Sequence, residues 1–157
     1  MERFYKLGLT DSEKGFFSLP QEETKKVFRI KSYNIAILIC FEAQVSPWEF
    51  FGKGEADLIL WPGYWGWEKH DTWNKHKKDD ELNLIFQNME EWRKPLIQAN
   101  FAFNDLSDHR DSGPHGLSMF VNSDNTLFSQ GDFDSESCYQ IAVEDNYIKA
   151  CTKLGPF

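Results

Sequence analysis

Several things are scarce in this sequence of 157 residues, and each shortage removes a class of protein. No apolar run approaches the roughly 20 residues that a membrane-spanning helix needs. The first residues, Met1-Glu2-Arg3-Phe4-Tyr5-Lys6, lack the apolar core of a signal peptide, which points to the cytoplasm. Three cysteines, an odd number without regular spacing, do not make a disulfide framework. Basic residues are in deficit, 17 Lys and Arg against 25 Asp and Glu, and the net charge of −8 argues against nucleic acid or an anionic membrane as partner. No glycine-rich phosphate loop is present, and no cofactor is expected. His70 and His76 are six residues apart in a charged run, a spacing that fits neither face of a helix, so no metal site is expected there. His109 and His115 flank a polar loop that either lines a pocket or lies on the surface.

Aromatics, by contrast, are abundant. The chain is 41% hydrophobic and 16% aromatic, with 14 Phe and 6 Trp, enough to build a packed core. The length suits one domain covering residues 1–157, and no repeat or linker divides it.

Residues 33–67 organise the chain. Two short apolar runs, Tyr33-Asn34-Ile35-Ala36-Ile37-Leu38-Ile39-Cys40 and Ala56-Asp57-Leu58-Ile59-Leu60-Trp61-Pro62, are separated by about the length of one helix. That pattern predicts a strand–helix–strand unit with both strand faces buried. Ser46-Pro47-Trp48-Glu49 has the form of a capping box, with proline at the first helical position. Cys40 falls where the first strand stops and a turn begins, a place that holds a side chain rigidly beside a cleft. It reads either as a nucleophile with turn amides facing an oxyanion or as a small buried hydrophobe. The aromatic run Trp61-Pro62-Gly63-Tyr64-Trp65-Gly66-Trp67 reads as cleft wall, as an interface or as a cap on the core.

Elsewhere the pattern is coarser. A short strand is expected over residues 4–9, then a polar turn in which Thr10 and Glu13 form a capping box with little room for a helix before Gly15. Residues 16–24 read as loop, and residues 27–30 as a strand that turns at Lys31-Ser32. Leu82, Ile85, Phe86, Met89 and Trp92 recur at helical spacing and form the clearest amphipathic stripe, closed by Pro95. Strands follow at residues 96–101, 118–122, 127–130 and 138–143, with a hairpin turn at Asp124-Asn125. The fold class is α/β or α+β, a mixed sheet with helices on one face. Cys138 and Cys151 read as packed or reduced thiols.

Taken together, the motifs resemble those of the carbon–nitrogen hydrolases, the nitrilase superfamily. Leu38-Ile39-Cys40-Phe41-Glu42, with Pro47 downstream, is similar to the family's cysteine motif. Gly54-Glu55-Ala56-Asp57 and the following apolar run to Pro62 resemble its next stretch with one extra residue. Phe4-Tyr5-Lys6-Leu7-Gly8-Leu9 resembles the lysine motif, with Gly8 in place of a histidine, and Glu13 suits a second glutamate found after that lysine. Residues 95–100 and 116–124 resemble later family strands.

This resemblance implies part of a four-layer α-β-β-α sandwich. It implies hydrolysis of a small amide or nitrile through a thioester on Cys40, with Lys6 and the Phe41 amide at the oxyanion, Glu13 orienting, and Trp65 against the substrate. The family's general-base glutamate lies upstream of the lysine motif, and no residue of this chain matches it. Pro47 also sits one place late. The chain is therefore expected to be completed by a further segment or a partner chain, or else to be an inactive remnant that binds a ligand or a protein. Sheet edges and a sheet face left without those early strands favour a homo-oligomer or a partner chain.

Overall fold

The computed structural model describes residues 5–19, 26–45, 50–52, 54–63, 80–100, 117–132, 135 and 137–155. Their backbone forms β1 (Val27–Ile30), β2 (Tyr33–Ile37), β3 (Leu58–Pro62), α1 (Asp80–Trp92), β4 (Leu96–Ala99), β5 (Met119–Val121), β6 (Leu127–Gln130), β7 (Cys138–Glu144) and β8 (Tyr147–Gly155). The fold is α+β. Six strands form one mixed sheet in the order β1-β2-β3-β4-β5-β6, and β7 with β8 makes a separate hairpin. The three central strands β2, β3 and β4 run parallel, while β1, β5 and β6 are antiparallel to their neighbours.

The central strands are parallel because long connections separate them, and their sequences are mostly apolar on both faces, with Gln98 of β4 a buried polar exception. Asp57 sets the start of the β2–β3 pair. Its Oδ2 accepts from the Asn34 amide at 2.8 Å, and its own amide donates to the Asn34 carbonyl at 2.7 Å.

One face of the sheet carries Ala36, Leu38, Ile59, Trp61, Leu96, Met119 and Val121, and it is buried in one cluster with Ile85, Phe86, Met89 and Trp92 of α1. These four keep the helical spacing, while Leu84, Gln87, Glu90 and Glu91 are exposed. Full burial of side chains such as Ile59, Leu96 and Met119 contributes about 1.5–3 kcal/mol each. The other face is partly covered by the β7–β8 hairpin. The Tyr33 hydroxyl donates to the Val143 carbonyl at 2.9 Å, the Ile148 amide donates to Asn122 Oδ1 at 2.8 Å, and the Phe120 and Tyr139 rings lie 5.2 Å apart.

Two expectations change. Residues 5–10 form no strand; the amides of Leu7 and Gly8 go to a carboxylate instead of a ladder. Strand β8 was not expected, although Asp145 and Asn146, both at positive φ (50° and 63°), make the two-residue turn that joins it to β7. The Ser46–Glu49 capping box lies outside the described residues, as do Trp65 and all four histidines. Among the described residues no helix is long and apolar enough to cross a membrane. Cys40, Cys138 and Cys151 are free thiols, and burial pushes the Cys151 thiol up.

Candidate active site

Strand β2 ends at Ile37, and the chain enters a single 3-10 turn over Cys40–Gln44. Cys40 itself has φ 54°, a left-handed conformation that a residue with a side chain adopts only when its surroundings impose it. Those surroundings are identifiable. Buried Trp61 donates its Nε1–H to the Cys40 carbonyl at 2.8 Å. Gly63 lies so close that a Cβ there would stand 2.8 Å from the Cys40 Cα. Asn88 of α1 donates to the carbonyls of Ala43 and Val45 at 2.9 and 3.0 Å, which fixes the far end of the turn to the helix. The Cys40 side is thus rigid, and the residue is only partly buried.

Lys6 precedes the two amides that reach this turn. Its Nζ donates to both carboxylate oxygens of Glu13 at 2.5 and 2.6 Å. Glu13 is in turn held by the Thr10 amide at 2.8 Å and hydroxyl at 3.0 Å, while the Glu13 amide donates to Thr10 Oγ1 at 3.3 Å. Thr10 and Glu13 therefore exchange the reciprocal bonds of a capping box, just ahead of a one-turn 3-10 helix over Glu13–Gly15 whose own N-cap, Ser12, makes no side-chain cap bond. The Lys6 ammonium, followed by the Thr10 amide, holds the Glu13 carboxyl below its ordinary range. The carboxylate is charged at neutral pH and keeps the ammonium in one place.

The group that joins these two parts was not anticipated from sequence. Glu42 and Lys26 form an ion pair with both side chains fully buried, at 2.7 Å. Glu42 Oε1 accepts from the amides of Leu7 and Gly8, the latter at 3.0 Å, and Oε2 accepts from the Ile39 amide at 2.6 Å. Burial pushes the Lys26 ammonium down from its ordinary value, and the Glu42 carboxylate opposes that shift. The five bonds from Leu7, Gly8, Ile39 and Lys26 occupy both oxygens of Glu42. None of these bonds engages the Phe41 amide. A cavity of about 440 Å³ opens beside Phe41; among the described residues it is walled mainly by Leu7, Leu9, Phe17, Val45 and Phe50, with Lys14 as the charged one. Among the described residues no group of three or more His, Cys, Asp or Glu side chains is arranged to hold a metal ion.

No family model matches the chain, and no curated protein matches it in sequence. Solved structures do match. A carbon–nitrogen hydrolase from Helicobacter pylori G27 aligns at TM-score 0.62 and 14% identity, over 85% of this chain and 48% of that one. An amidase from Nesterenkonia sp. AN1, solved as a cysteine-to-alanine variant with butyramide, aligns at TM-score 0.56 and 16% identity, over 83% and 46% of the two chains. Another form of that amidase carries the acetamide moiety of fluoroacetamide, added covalently at its active-site cysteine. Saccharomyces cerevisiae Nit3, a member of branch 10 of the nitrilase superfamily, aligns at TM-score 0.56 and 13% identity, over 88% and 43%. At such identities the likeness is one of fold, and the chain spans slightly under half the length of each of these proteins. The mixed sheet and its covering helix are thus similar in fold to slightly under half of a carbon–nitrogen hydrolase and of a nitrilase-superfamily protein.

Proposed function

We propose that this single domain is the nucleophile-bearing part of a hydrolase that cleaves non-peptide carbon–nitrogen bonds in small amides or nitriles. The observation that carries this reading is the strand-end cysteine at positive φ, fastened through one carboxylate to the segment that bears an ion-paired lysine. Cys40 Sγ attacks the carbonyl carbon of an amide. The carbon–nitrogen bond breaks, ammonia or an amine leaves with the added proton, and water releases the acid from the thioester and restores the thiol. Lys6, oriented by Glu13, and the Phe41 amide stabilise the oxyanion. Trp65 is the proposed aromatic wall of the substrate site.

A general base is still required to take the thiol proton and later to activate water, a role worth typically 10²–10⁴-fold. Glu42 is saturated by three amides and Lys26, and Glu13 is committed to Lys6. We assign the base to a glutamate outside the described residues, on a further segment or on a partner chain.

The test uses butyramide and fluoroacetamide with the protein as it stands and with Cys40→Ser. Ammonia release from butyramide that disappears in the serine variant supports the reading. So does fluoroacetamide labelling confined to Cys40. Release unchanged in Cys40→Ser, or labelling at Cys138 and Cys151 alone, overturns it. The saturation of Glu42 also favours a second reading, a catalytically inactive domain that holds a small ligand or a protein in the apolar cavity beside Phe41. Butyramide that binds, with neither ammonia release nor Cys40 labelling, would support that alternative.

A further inference from the structure

We infer that Lys26 is a positioning residue: its buried pair with Glu42 clamps the segment bearing Lys6 onto the turn bearing Cys40. The inference rests on the reading proposed above. Lys26 stands just before β1, and its carbonyl accepts the Ile37 amide at 2.9 Å, so its main chain is pinned to the strand that leads to Cys40. Its ammonium is fully buried and meets three oxygens, the Tyr5 carbonyl at 2.6 Å and the two Glu42 oxygens at 2.8 and 2.7 Å. The Phe50 ring lies 5.8 Å from the same Nζ.

The partners fall into two groups. Tyr5, Leu7 and Gly8 surround Lys6 on the chain, while Ile39 and Glu42 surround Cys40. Lys26 and Glu42 together bond to every one of the first group and bridge it to the second. Lys6 is left out of the clamp, and its own ammonium points to Glu13.

A buried ion pair is weak support for stability by itself, because desolvating two charges costs about as much as their attraction returns. What this pair supplies is geometry, since two charges and the five bonds to Glu42 fix the separation of two segments that share no ladder. Gly8 reports how tight the arrangement is. A Cβ at position 8 would stand 2.9 Å from Glu42 Cγ and 3.6 Å from Glu42 Cα, so the carboxylate can reach the Leu7 and Gly8 amides only if residue 8 has no side chain.

The test is a double-mutant cycle read by the rate of Cys40 alkylation with iodoacetamide, on variants that circular dichroism shows to be folded. In the parent protein Lys6→Met is expected to slow alkylation by about tenfold, the size of effect a nearby ammonium has on a developing negative charge. In a Lys26→Met background the same change should slow it less than about twofold, because Lys6 is no longer presented. Gly8→Ala is the second background. It leaves both charges in place, displaces the carboxylate, and should erase the Lys6 effect in the same way. A Lys6 effect that persists in full in both backgrounds overturns the clamp and leaves the proposed function standing. A Lys6→Met variant that reacts at the parent rate removes Lys6 from the site and overturns both.

Discussion

Gly63→Ala is the substitution that most directly probes how the cysteine turn is held. Gly63 follows β3, and its amide donates to the Ala99 carbonyl at 3.1 Å, so its own position is fixed by the sheet. The added Cβ would stand 2.8 Å from Cys40 Cα, 3.2 Å from Cys40 N and 3.4 Å from Cys40 Cβ. Carbon atoms pack best at about 3.5–4.0 Å, so the first of these three separations is too short by more than half an ångström. The nearest two atoms belong to the backbone, which cannot swing away. The Cys40 carbonyl is held by Trp61 and the preceding amide by Glu42. Either β3 or the turn must move, and overpacking of this kind costs about 1–3 kcal/mol. The upper part of that range is expected, because the strained φ at Cys40 has little room to relax.

Urea denaturation measures the loss. Gly15→Ala serves as control, since no heavy atom of the described residues lies within 4 Å of a Cβ there, and removing a glycine at an unstrained site stabilises by about 0.4–1 kcal/mol. Alkylation of Cys40, but not of Cys138, should change in rate in Gly63→Ala. If that variant is as stable as Gly15→Ala and Cys40 reacts at the parent rate, the tight seat of the cysteine turn is refuted.

Trp61→Phe removes the indole donor from the Cys40 carbonyl and is expected to cost about 1 kcal/mol for the bond, plus the volume lost, in the same urea assay; a neutral result would show that the bond does not hold the turn. Lys26→Met strands the Glu42 carboxylate in the core, which should cost about 3–5 kcal/mol; a loss near zero would mean that Glu42 finds water in the variant. The Lys153 ammonium, then Ser137 and Ser135, hold the Asp132 carboxyl down at about 2 from an ordinary 3.8. A depressed carboxyl stabilises the fold above its unfolded value and loses that stabilisation as pH falls toward the folded one. Asp132→Asn should therefore flatten the dependence of the urea midpoint on pH between about 4 and 2, and near neutrality lower the midpoint slightly without changing its slope. The effect is small because solvent screens both side chains.

Much of the frame was legible because it depends on local pattern. Runs of Ile and Leu bounded by turn residues marked β2, β3 and β4, and the Ile85, Phe86, Met89, Trp92 spacing marked α1 and its buried side. Thr10 and Glu13 announced their reciprocal bonds in sequence. The misses have physical reasons. Residues 5–10 alternate like a strand, but which partner takes their amides is decided 35 residues away. Lys26 follows Glu22-Glu23-Thr24-Lys25, a run that reads as solvated, and only the tertiary fold places its ammonium against Glu42. Strand β8 alternates too, with its turn at Asp145-Asn146, but it is mostly exposed, so no apolar run advertised it.

The absence of a ladder along residues 5–10 also sets an order of events. These residues gain two amide bonds only where a carboxylate from position 42 is already oriented by Lys26 and the Ile39 amide. Each of those preconditions lies inside residues 26–42, whereas the closing bonds span a much longer loop, whose ordering entropy must be met at once. The segment bearing Lys6 is therefore the last part of the candidate site to arrive and the first to leave. Hydrogen exchange should show the Leu7 and Gly8 amides opening at lower free energy than those of β2 and β3. Equal protection at both would contradict this order. The cysteine turn would then persist through excursions in which Lys6 is absent, so any reactivity that needs both groups would follow the fraction of time this short segment spends docked.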